Sequence, residues 1–66
     1  MPINPKKMIK LLKSNGFIVV RQKGSHIIMV NPITNMRTIV PMHNHDLPIG
    51  TERAILKQAG IKNENK

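Results

Sequence analysis

The chain has no cysteine, tyrosine or tryptophan, one phenylalanine (Phe17) and three acidic residues. Without cysteine there is neither a disulfide framework nor a thiolate zinc site. Phe17 alone cannot build a broad base-stacking platform. Asp46, Glu52 and Glu64 are too few for paired-carboxylate glycoside chemistry or a two-metal phosphotransfer centre. The apolar runs are only a few residues long, and the start carries no apolar block with a small-residue cleavage site. No membrane span or secretory leader is therefore expected, and the cytoplasm is the default location. A G-x-x-x-x-G-K-[ST] run and the spacing of a serine–histidine–acid triad are also missing.

Positive charge is what the chain has in excess. Eleven Lys and Arg against three acids give a formal charge of +8. Such a balance favours a polyanion, through phosphate neutralisation, or an acidic protein. Sixty-six residues allow one small domain, residues 1–66, with so little burial that partners often help such chains.

Asn4-Pro5 is a helix start: Asn caps, and Pro at the first helical position leaves no N–H unpaired. Met8, Ile9 and Leu12 follow at helical spacing with Leu11 beside them, while Lys6, Lys7, Lys10 and Lys13 take the other side. Asn15-Gly16 closes this helix, predicted over residues 5–15. Strands are predicted over 17–22, 25–31 and 36–40, the last ending near Pro41, with a turn at Pro32–Asn35. A second helix is predicted over 48–59, with Ile55, Leu56 and Ala59 inward, Ile49 contributing near its start, and Asp46 or Leu47 as cap. Gly50, early in that helix, permits close packing or offers an amide to phosphate. The polar tail from Lys62 to Lys66 is read as frayed.

The stretch Arg21–Val30, RQKGSHIIMV, is the centre of this pattern. Two β-rich runs around a short turn at Lys23-Gly24 read as a hairpin, with His26 just past the turn. Simple alternation puts Phe17, Val19 and Arg21 on one face and Ile18 and Val20 on the other. In the return strand Ile28 and Val30 join His26, opposite Ile27 and Met29. The register stays open: a two-residue turn pairs Arg21 with His26, a three-residue turn pairs Val20 with it. Both sheet faces are apolar although two helices can cover only one, so the other face is expected to meet a partner protein.

Histidine has many structural and surface uses, and composition alone does not make His26 chemical. His43 and His45, beside Asp46, raise the question of a metal. H-x-H is a weak pattern without a third spaced arm, so no metal and no cofactor are expected. The chemistry these residues permit is metal-free RNA cleavage. A histidine takes the proton from a ribose 2′-hydroxyl while nearby cations stabilise charge on the scissile phosphate.

Gly24-Ser25-His26, preceded by Arg21-Gln22-Lys23, closely resembles the HicA toxin family of HicA–HicB toxin–antitoxin pairs. The resemblance extends through Gly16-Phe17, Val40-Pro41 and the Gly50–Ile61 run G-T-x-R-x-I-L-K-Q-A-G-I. It implies an α+β, double-stranded-RNA-binding-domain-like α-β-β-β-α fold, with a three-stranded antiparallel sheet and two helices on one face. It also implies a ribosome-independent mRNA endoribonuclease whose catalytic histidine is His26, covered by a HicB-like antitoxin. Many members of the family carry a second histidine immediately afterwards. Here that position is Ile27, which removes an adjacent two-histidine mechanism. The turn around Pro32–Met36 also departs from the family's common short Pro-Asp-Gly style hairpin, so loop-based specificity does not transfer.

On this reading Arg21, Lys23, Gly24 and Ser25 are the candidate RNA contacts around His26. Ser25 either positions His26, donates to phosphate or satisfies turn backbone groups. His43, His45, Arg53 and Lys57 are auxiliary candidates; the last two share a helical side at i and i+4, where solvation is an equal explanation. Two alternatives use the same features: a non-catalytic double-stranded-RNA-binding module, and a basic protein-interaction domain.

Overall fold

The computed structural model describes residues 3–42 and 45–61. The tail predicted to fray, residues 62–66, lies outside them, as does His43. The elements are helix α1 (Pro5–Ser14), strands β1 (Ile18–Lys23), β2 (His26–Val30) and β3 (Arg37–Pro41), and helix α2 (Ile49–Gln58). The strands form one antiparallel sheet in the order β1-β2-β3. This is the expected α-β-β-β-α arrangement of the double-stranded-RNA-binding-domain type.

Helix α1 begins as its sequence dictates. The Asn4 side chain accepts a hydrogen bond from the Lys7 N–H at 2.8 Å, and Pro5 opens the helix. It ends in a Schellman motif, the Phe17 N–H reaching Leu12 O and the Gly16 N–H reaching Lys13 O. Helix α2 ends the same way, with Ile61 bonded to Leu56 O and Gly60 to Lys57 O. Its start differs from the expectation. The N-cap is Pro48, with no side-chain capping bond, rather than Asp46 or Leu47. Leu47 is instead a core residue, held by a backbone bond to Ile3 O. Ile49 faces solvent rather than the core, and nothing packs within 4 Å of where a Gly50 side chain would begin.

Met8 and Leu12 from α1, Ile55, Leu56 and Ala59 from α2, and Ile27, Met29 and Val40 from the sheet form the core with Phe17 and Leu47. Both helices therefore lie on one face of the sheet, packed over β3. Burial alternates cleanly along β2 and β3: Ile27, Met29, Thr38 and Val40 point to the helices. Thr38, inside this layer, is satisfied by donating its hydroxyl to Gln58 Oε1 at 2.9 Å, which pins α2 to β3. Strand β1 is exposed along its whole length, because the helix layer does not extend over it.

Two register details depart from the sequence reading. His26 pairs with Lys23, not with Arg21 or Val20. The turn has two residues, but they are Gly24 and Ser25, one position later than the expected Lys23-Gly24. Gly24 has a φ of +61° while Ser25 is not left-handed, the pattern of a II′ hairpin turn, in which glycine is favoured at the first central position. The ladder also slips between Val19 and Arg21: Val19 pairs with Met29 and Arg21 with Ile28, leaving Val20 as a bulge. Arg21 thus shares a face with Ile18, not with Val19 as unbroken alternation implied.

At the far end, the loop between β2 and β3 is organised by Asn31, which is buried. Its side-chain oxygen accepts from the N–H groups of Ile33 and Thr34, and its amide donates to Asn15 O at the end of α1.

Candidate active site

The sheet face turned away from the helices is built in three rungs. Lys23, His26 and Pro41 form the rung at the hairpin turn; Arg21, Ile28 and Ile39 form the next; Ile18, Val30 and Arg37 form the last. Directly opposed side chains in such a ladder start about 5 Å apart. Successive rungs on one face are about 7 Å apart, twice the rise per residue.

His26 is the first residue of β2 and is exposed. Its position is fixed from two sides. The hairpin turn sets Lys23 against it, and the Met42 N–H donates to Ser25 O at 2.6 Å, tying the end of β3 to the same turn. The imidazole therefore stands on a paired strand at the rim of the sheet, open to a large substrate. Lys23 faces it across the ladder, and Arg21 lies one rung further along. The bulge at Val20 brings both cations to the His26 face. Without it, the alternation that buries Phe17 would carry Arg21 to the helix side.

The remaining candidates separate. Gly24 and Ser25 form the turn beside His26. The Ser25 backbone carbonyl is engaged by Met42, whereas its hydroxyl makes no hydrogen bond among the described residues. Gln22 donates its side-chain amide to Gly24 O at 3.2 Å, which stiffens the turn. Arg53 and Lys57 are exposed on α2, in the layer behind the sheet, and are not brought to His26. His45 is exposed in the bend that leads to α2. Among the described residues no group of three His, Cys, Asp or Glu side chains is gathered as a metal site.

One residue of this face was not singled out from the sequence. Arg37 opens β3 opposite Val30, on the His26 side, and is exposed. Its signal is only positional. Once Val40 is taken as inward-facing, a two-residue count assigns Thr38 to the core and Arg37 to the open face.

The match to known families decides the class. The family model described as the HicA toxin of bacterial toxin–antitoxin systems matches residues 5–61. This chain belongs to the HicA toxin family. The matched segment starts at the first residue of α1 and ends at Ile61, which closes the C-terminal motif of α2. No curated protein matches the chain. Membership makes this HicA chain a toxin of a toxin–antitoxin system, and such a system implies an antitoxin partner. Among the described residues no helix is long and apolar enough to cross a membrane. The fold also sets Ile27 apart from the His26 face. It is buried against the helices, so neighbouring positions 26 and 27 serve opposite faces of the sheet.

Proposed function

We propose that this HicA toxin is a metal-independent, ribosome-independent mRNA endoribonuclease of the cytoplasm, with residues 1–66 acting as one domain. The observation that carries the reading is the exposed rung of His26 and Lys23 with Arg21 beside it, in a chain of the HicA family. His26 removes the proton from a ribose 2′-hydroxyl, and the 2′-oxygen attacks the adjacent phosphorus. The bond from phosphorus to the 5′-oxygen breaks, and that oxygen leaves as it gains a proton from water or a second acid. Lys23 and Arg21 stabilise the charge that grows on the phosphate oxygens. Gly24 and Ser25 let the backbone and hydroxyl approach the phosphate closely. The products carry a 2′,3′-cyclic phosphate and a 5′-hydroxyl.

The antitoxin, a HicB-like protein expected to be acidic overall, covers the open sheet face. Ile18, Ile28 and Ile39 supply its apolar contact, and the surrounding cations supply complementarity. Ile18 is 51% exposed and Ile39 42%, large values for isoleucines on one face of a sheet.

End-group analysis of a defined RNA cut by antitoxin-free toxin tests the chemistry. Cyclic phosphate and 5′-hydroxyl ends are expected. Fragments with 5′-phosphate ends contradict internal attack by the 2′-oxygen, and RNA that is bound but left intact supports a non-catalytic binding module instead.

A further inference from the structure

Resting on the nuclease reading, we propose that Arg37 is a phosphate anchor for a single strand of RNA that runs across the open sheet face from His26. The three cations of that face follow a path. Lys23 lies opposite His26, Arg21 is one rung along on β1, and Arg37 is two rungs along on β3. From His26 to the rung of Arg37 is four residues of strand, about 14 Å, with a step of about 5 Å sideways. Neither described acid, Asp46 or Glu52, is on the sheet, so no described strand residue carries a negative charge beside these cations.

A path of positive charge that starts at the reacting side chain suits a phosphate backbone. The planar guanidinium of Arg37 can grip a phosphate through two N–H bonds, and so fix how the strand is registered against His26. The strand is single for a chemical reason. The 2′-oxygen must approach phosphorus in line with the departing 5′-oxygen, and near-attack alignment is what a site has to supply. A regular A-form duplex holds these atoms away from that line, whereas an unpaired strand reaches it by rotation. With no Phe, Tyr or Trp on the sheet to form a stacking platform, the phosphates set the position of the strand.

The test compares wild-type toxin with Arg37→Gln, both free of antitoxin, on RNAs lengthened one nucleotide at a time on either side of one cleaved bond. Wild-type kcat/KM is expected to step upward at the length that reaches Arg37. In Arg37→Gln that step disappears through a several-fold higher KM with kcat unchanged, and Arg37→Lys restores part of it. Shorter RNAs are cut alike by both proteins, and on long RNA the salt dependence of binding becomes shallower by about one unit of slope. Identical length curves overturn the proposal, and so does an equal loss at every length. A variant altered only in antitoxin affinity places Arg37 in the protein interface and also overturns it. Failure of the nuclease reading is separable. If antitoxin-free toxin binds RNA but leaves it intact that reading falls, while the length dependence of RNA affinity, with and without Arg37→Gln, still decides the anchor.

Discussion

His26 owes its exposure to its parity in β2, because Ile27 and Met29 are the residues that fill the core. Little of the protein's packing depends on the imidazole, which allows a clean separation of chemistry from folding. Arg21→Ala and Lys23→Ala are expected to weaken RNA binding uniformly across sequences, each making the salt slope shallower by about one unit, as titration of affinity against salt checks. Asn31 is the opposite kind of residue. It is 7% exposed and satisfies three backbone groups with one side chain. Asn31→Ala leaves those groups unpaired and is expected to cost about 1–3 kcal/mol in denaturant unfolding, with the His26 rung intact in the folded fraction.

At the scale of elements, the glycines near the two ends of α2 give opposite expectations. Gly60 has a φ of +71°, and a side chain there meets Met36 Sδ at 2.6 Å, so Gly60→Ala should destabilise by about 1–2 kcal/mol. Gly50 is helical with open space around it, so Gly50→Ala should stabilise by up to about 1 kcal/mol; thermal unfolding of both variants checks the pair. The helices and the order of strands were legible because Asn4-Pro5, Gly16 and Gly60 mark ends chemically and Met8, Leu12, Ile55 and Leu56 repeat at helical spacing. The faces of β2 were legible too. Those of β1 were not, because Phe17 to Val20 is apolar at every position and carries no period of two to reveal the bulge at Val20. The turn was displaced by one residue for a related reason: Lys23, Gly24 and Ser25 can all sit in a turn, and only pairing decides which do. The place of Arg37 on the His26 face was illegible until the register of β3 was known. The choice of His26 over His43 and His45 came from the Gly24-Ser25-His26 resemblance, since composition did not rank them.

At the scale of the whole molecule, the two faces of the sheet divide the work. One is covered by α1 and α2 and makes the core; the other presents His26, Lys23, Arg21 and Arg37 around Ile28 and Ile39. Because Ile39 faces away from the core, Ile39→Glu should change stability by less than about 0.5 kcal/mol. It should weaken antitoxin binding at least about tenfold, a loss of roughly 1.4 kcal/mol, measurable by calorimetry. Unchanged antitoxin affinity would place the partner elsewhere. With only three acids in the chain and a histidine proposed as the base, cleavage should persist after exhaustive chelation. Lost activity that returns only with a stoichiometric metal would refute the general-base mechanism.

The central claim is that His26 performs the chemistry rather than only touching RNA. Its most direct test is cleavage of one defined RNA, at saturating concentration, by folded and antitoxin-free His26→Ala, with binding measured alongside. The expected result is a protein that folds, binds RNA and antitoxin, and cleaves roughly 10²–10⁴-fold more slowly. Cleavage by the variant at the wild-type rate would contradict the account.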